Sequence, residues 1–143
     1  MSKLAILGCA AAWVGLVALG CGGPKYPGDK RFPLSGSVSF DGQPVDLGSL
    51  TLKPAGGEAK SVSGGVIRDG KFEIPEAKGP NAGTYRAEIH WLKLTGKRLM
   101  DHTTGEMYDE RLEALPPKFH KNSELLIEIP ATDDVHAFEL SSK

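Results

Sequence analysis

The stretch that decides the fold is Leu34-Ser35-Gly36-Ser37-Val38-Ser39-Phe40-Asp41-Gly42. Leu34, Gly36, Val38 and Phe40 share one parity, and three serines take the other. A period of two with one apolar side is the pattern of a half-buried strand. Asp41-Gly42 then closes it, because this pair favours a tight turn with positive φ. Pro44 is expected to stop the pairing.

The same grammar repeats along the chain. A second strand is expected over 48–53, with Leu50 and Leu52 inward. A third covers 61–68, with Val62, Gly64 and Val66 on one face. Gly64-Gly65 inside it suggests a bulge. Asp69-Gly70 is the best hairpin signal in the chain and leads into a fourth strand over 71–74. The fifth runs over 84–91, with Tyr85, Ala87, Ile89 and Trp91 on one side and Arg86, Glu88 and His90 on the other. A sixth covers 123–129 and a seventh 135–140, with Leu125, Ile127, Ile129, Phe138 and Leu140 inward. Abundant Gly and Pro (18 and 10 residues) suit short strands joined by turns. No helix alternates with these strands, so a doubly wound fold is not expected. The expected fold class is all-β: a seven-stranded antiparallel β-sandwich over residues 34–143.

Residues 1–33 read differently. Lys3 precedes an uncharged run from Leu4 to Gly20, and Val17-Ala18-Leu19-Gly20-Cys21 follows. This resembles the lipobox of bacterial lipoproteins, with Ala18 where Leu is usual. The resemblance implies an N-terminal signal helix over 1–20, removed so that an acylated Cys21 becomes the new N-terminus. A plain secretory signal and an uncleaved anchor are the competing readings. Two or three acyl chains hold a protein on a bilayer without a spanning helix. The expected location is therefore the cell envelope, lipid-anchored and facing the periplasm or the exterior. Residues 21–33, rich in Gly, Pro and charge, read as a flexible tether.

Chemistry is sparse. Both cysteines, Cys9 and Cys21, lie in the N-terminal segment, so the domain holds no thiol nucleophile, disulfide or Cys-based zinc site. His90, His102, His120 and His136 show no compact metal spacing. Asp101, His102, Glu106, Asp109 and His120 would converge only if the intervening chain folded back. No Gly-x-Ser-x-Gly and no phosphate-binding glycine loop is present. The carboxylate pairs Asp109-Glu110 and Asp133-Asp134 fall in expected loops. No cofactor, no metal and no catalytic residue is assigned. A net charge of -1 gives no reason to expect nucleic acid.

The most informative irregular region is 92–116, about 25 residues between the fifth and sixth strands, where hairpin loops usually take two to five. It is expected to be a long loop, with room for a short amphipathic helix over 105–115; the two readings are a solvated excursion that protects a sheet edge and a partner-binding loop. Lys97, Arg98, His102, Tyr108 and Arg111 are its candidate partner-binding residues.

A family resemblance rests on Gly36-x-Val38-x-Phe40-Asp41-Gly42-x-Pro44, on Asp69-Gly70-x-Phe72-x-Ile74 and on Gly83-Thr84-Tyr85. These look like the transthyretin-like, carboxypeptidase-regulatory-like domain. Pro117-Lys118-Phe119-x-x-x-Ser123-x-Leu125 is similar to small exported lipoproteins that carry it. The resemblance spans about residues 34–141. It implies an Ig-like, non-catalytic binding or scaffolding module, with an envelope protein or polysaccharide as partner. The alternative is a carbohydrate- or small-ligand-binding accessory domain of an envelope enzyme system. Tyr26, Tyr108 and Phe119 are then the aromatics available to a sugar.

Overall fold

A computed structural model describes residues 28–131 and 135–143. The expected signal helix over 1–20, Cys21, Tyr26 and the Asp133-Asp134 pair lie outside the described residues. The described chain is all-β and has no α-helix; two short 3-10 turns sit at Glu76–Lys78 and Pro117–Phe119. Nine strands form: β1 Leu34–Phe40, β2 Gln43–Pro44, β3 Leu47–Gly56, β4 Ser63–Arg68, β5 Lys71–Ile74, β6 Gly83–Met100, β7 Met107–Glu113, β8 Leu126–Ile129 and β9 Val135–Leu140. Seven match the expected strands in place; β2 and β7 are additional.

The strand order is β2-β1-β5-β4-β3-β6-β7, with β8 also on β6 and β9 also on β1. One pairing departs from the expected antiparallel pattern: β9 runs parallel to β1, from Ser35↔Val135 to Phe40↔Leu140. The two Asp-Gly turns form as their chemistry requires. Asp41 and Gly42 stand at φ 47° and 79°, Asp69 and Gly70 at 50° and 75°. Pro44 does not end the first hairpin. It pairs with Ser39, and the Val45 N–H donates to the Val38 carbonyl at 3.1 Å.

Alternation delivers the core. Leu34, Val38, Leu50, Leu52, Phe72, Ile74, Tyr85, Ala87, Ile89, Trp91, Ile129, Phe138 and Leu140 are all buried in one cluster. Phe40 of β1 meets Trp91 of β6 edge-on at 6.3 Å, although these strands are not neighbours.

The valine face of the third strand is its outer face. Val62 and Val66 are 62% and 52% exposed, while Ser63 and Ile67 are buried. Gly64-Gly65 makes no bulge: Thr51↔Gly64 and Leu50↔Gly65 stay in register. The glycines are there for closeness. A Cβ on Gly64 would stand 2.4 Å from the Leu50 carbonyl oxygen, and one on Gly65 would press on Ile74. The β-bulge lies instead between Pro54 and Gly56 of β3.

The last residues of the supposed tether are fastened to the domain. Arg31 bridges to Asn81, and the Phe32 N–H donates to the Pro80 carbonyl at 2.9 Å. Asn81 is buried at 5% exposure. Its side-chain amide donates to the carbonyls of Asp29 and Lys30 and accepts from the Ser61 hydroxyl at 2.6 Å. The chain thus enters the domain beside the start of β6.

Candidate functional site

Residues 92–116 are not a loop, and 105–115 are not a helix. β6 continues to Met100 and β7 returns along it, so the region is a two-stranded β-hairpin. β3 pairs with β6 only as far as Gly48↔Trp91. Beyond Trp91, β6 pairs with β7 alone among the described residues, and the two strands form an arm.

Two features hid this hairpin from periodicity. Its register shifts between Leu94 and Arg98, around Gly96 at φ 82°, so the alternation breaks midway. Neither face is buried, so neither is uniformly apolar. The tip, 101–106, organises itself. The Asp101 carboxylate accepts from the N–H groups of Thr103 (2.7 Å) and Thr104 (3.3 Å), and these hold its pKa below the ordinary value. The Gly105 N–H donates to the Asp101 carbonyl at 2.7 Å.

The arm is apolar along its shaft and polar at its tip. Leu92, Leu94, Leu99, Met100, Met107, Tyr108 and Leu112 are all large, apolar and at least 38% exposed. Such a concentration on one small element marks an interaction surface more often than scattered single residues do. The register sorts them. Leu92, Leu94, Arg98 and Met100 share a face with Met107, Asp109, Arg111 and Glu113; Lys93 and Leu99 share the other with Tyr108, Glu110 and Leu112.

The five expected partner-binding residues all lie on this arm, but they do not converge. Lys97 sits in the bulge and His102 at the tip. Arg98 pairs with Asp109 at 3.6 Å, an exposed contact of about 0–1 kcal/mol. The Arg111 guanidinium donates to the Leu92 carbonyl at 3.0 Å on that same face. Tyr108 stands on the opposite one. Among the aromatics considered for a sugar, Phe119 is buried at 7% exposure, against Phe40 at 6.1 Å, so it is not available. Tyr108 is 51% exposed.

The base of the arm carries polar structure that the sequence does not announce. Glu113 turns back onto the sheet. Its carboxylate accepts the N–H groups of Trp91 and Leu115, both at 3.0 Å, and His90 Nδ1 lies 2.6 Å from its other oxygen. Partial burial raises the Glu113 pKa, but these donors outweigh it and the net direction is down. The His120 ring lies 5.0 Å from His90, is buried, and contacts the Leu115 carbonyl through Nε2 at 3.1 Å. Further along β6, Glu88 is buried between Lys53 (2.7 Å) and Arg86 (3.0 Å). Burial pushes its carboxyl up, and the two cations more than reverse that. The spacing of Arg86, Glu88 and His90 had placed all three on the polar side of β6. What it missed was the cover over Glu88 and His120.

The acidic and histidine residues of 101–120 do not gather. Asp101 to Asp109 occupy the outer arm, while His120 sits at its base. Among the described residues, no group of three or more His, Cys, Asp or Glu is placed to hold a metal ion. No helix among them is long and apolar enough to cross a membrane.

Comparison with family models, with curated proteins and with solved structures finds no match for this chain.

Proposed function

We propose that this protein is an extracytoplasmic lipoprotein, anchored in a membrane through an acylated Cys21. Its domain is a non-catalytic, Ig-like β-sandwich of the transthyretin-like kind that binds or scaffolds an envelope partner. The observation that carries the binding role is the β6–β7 arm, with its exposed apolar shaft and polar tip. The contact of Phe40 with Trp91, between non-adjacent strands, supports two facing layers. The point where the described chain enters the domain lies well away from the arm. The chain enters at the start of β6, and the arm is the far end of that same strand. An 18-residue strand spans about 55–60 Å. A tip built from Asp101, His102, Thr103, Thr104, Gly105 and Glu106 is ill suited to entering lipid. The apolar shaft therefore suits protein contact.

Two experiments test this. Lys93 and Leu112 form a hydrogen-bonded pair of the ladder, so residues 94–111 can be exchanged for an Asn-Gly turn without moving the sheet. This removes almost only exposed residues, so the melting temperature is expected to change by no more than a few degrees. Crosslinking of the intact lipoprotein in its own cells is expected to lose the partners that the full chain captures. Unchanged capture by the shortened chain rejects the arm as the recognition surface. For the anchor, mass spectrometry of the mature N-terminus is expected to show a diacylated or triacylated residue 21. An unmodified terminus at any other residue rejects it.

A further inference from the structure

We propose that the free edge of β7 pairs with the same edge of a second copy of this chain, antiparallel, about a twofold axis at Glu110; this names the partner of the arm and rests on reading the arm as the recognition surface.

Among the described residues, β7 has a neighbour on one side only, and that neighbour is β6. The Ala114 N–H donates to the Trp91 carbonyl, and the Glu110 carbonyl lies 3.4 Å from the Thr95 hydroxyl. Even-numbered residues of β7 therefore aim their backbone groups at β6. Odd ones, Met107, Asp109, Arg111 and Glu113, aim theirs outward. Two such edges pair only when outward residues meet outward residues, which limits the registers to twofold axes on single residues.

Charge chooses among these. An axis at Asp109 sets Asp109 against its twin. An axis at Arg111 sets Arg111 against its twin and Asp109 against Glu113. An axis at Glu110 instead sets Asp109 opposite Arg111 twice, and Tyr108 opposite Leu112 twice. Opposite-charge and aromatic–aliphatic cross-strand pairs each favour pairing, and like charges oppose it. Glu110 then faces its twin, but its carboxylate is drawn toward its own β6 by the Thr95 hydroxyl at 2.7 Å. The other edge of the arm is unsuited to the same use. From Leu92 to Met100 it carries Lys93, Lys97 and Arg98 with no anion, and it is kinked at the bulge. Capping an open apolar edge by a symmetric copy also closes the assembly rather than leaving it to grow. Copies on one bilayer meet in this way when their β6 strands lie along its surface.

The test uses the full chain in its native membrane. In the proposed register Glu110 and its twin form a non-hydrogen-bonded pair, with Cα atoms about 4.5 Å apart, inside the range a disulfide needs. Glu110→Cys is expected to yield, on mild oxidation, a dimer whose crosslinked peptide joins position 110 to itself. Tyr108→Cys alone is expected to give none, whereas co-expressed Tyr108→Cys and Leu112→Cys copies crosslink to each other. Asp109→Arg is expected to weaken self-association roughly tenfold or more, and Asp109→Arg with Arg111→Asp to restore it. A chain that stays monomeric, or that crosslinks at 108 with itself, overturns the register. If the arm captures a different protein while the chain stays monomeric, self-pairing fails and the binding role of the arm stands. If exchanging 94–111 changes neither capture nor self-association, both fail.

Discussion

Glu113→Ala is expected to destabilise the domain by about 2–4 kcal/mol, because one carboxylate closes three contacts at the base of the arm. Two of its acceptor bonds go to backbone N–H groups, those of Trp91 and Leu115. Both residues belong to the buried cluster. A hydrogen bond to a charged group contributes about 1.5–3 kcal/mol, and water reaching the partly open site recovers some of it. The glutamate side chain is 27% exposed, which sets that partial recovery. For a domain of this size the melting temperature should fall by roughly 10 °C. Glu113→Gln separates charge from geometry, since its amide oxygen still accepts both N–H groups. If Glu113→Ala melts with the native protein, the carboxylate does not clasp the arm.

The same residue predicts a pH dependence. The folded-state pKa of Glu113 lies below its ordinary value of 4.5. The unfolded chain therefore binds this proton first as pH falls. The contribution of Glu113 is fully present above 4.5 and is lost as pH drops through the lowered folded value. Glu88 acts in the same direction, because Lys53 and Arg86 also leave its net pKa lowered. Thermal melts of Glu113→Gln and Glu88→Gln between pH 6 and pH 3 should each show a flatter acid limb than the native protein. An unchanged acid limb in both places the acid sensitivity elsewhere.

What the sequence made visible was whatever rested on one residue or one period. Asp41-Gly42 and Asp69-Gly70 have the chemistry of tight turns and form them. Tyr85, Ala87, Ile89 and Trp91 alternate cleanly and are buried. What stayed hidden depended on context. Val62 and Val66 give β4 an apolar face, yet Ser63, Gly65 and Ile67 take the inward parity, and at Gly65 Ile74 leaves no room for a side chain. The parallel partner of β9 is a matter of topology, on which alternation is silent. The arm evaded periodicity because a solvated hairpin with a bulge shows no buried face. The same feature that hid it, apolar residues without cover, makes it the candidate site. Its five expected residues were placed on the right segment, but as members of a loop rather than of two strands.

Tyr85→Ala is expected to remove about 4–8 kcal/mol, enough to unfold much of the population of a domain whose whole stability is about 5–15 kcal/mol. The ring is fully buried, and truncating a buried aromatic costs about 3–5 kcal/mol. The hydroxyl adds a separate contribution. It accepts the backbone N–H of Asn81 at 3.0 Å, four residues upstream, the geometry of a tyrosine corner. Losing it leaves a buried donor unpaired, at about 1–3 kcal/mol. Tyr85→Phe keeps the ring and should show only that second part. The location gives this part its interest. Asn81 is the residue whose amide holds the carbonyls of Asp29 and Lys30, where the chain enters the domain. Loosening Asn81 should therefore speed amide exchange at Phe32, whose N–H is bonded to Pro80, before it affects the arm at the other end of β6. Exchange that accelerates first at Met107–Glu113 would show that the corner does not secure the entry. Exchange that accelerates first at Phe32 would make β6 a strand with two separable ends. One end is locked by Tyr85 where the chain comes in, and the other is clasped by Glu113 where the arm begins.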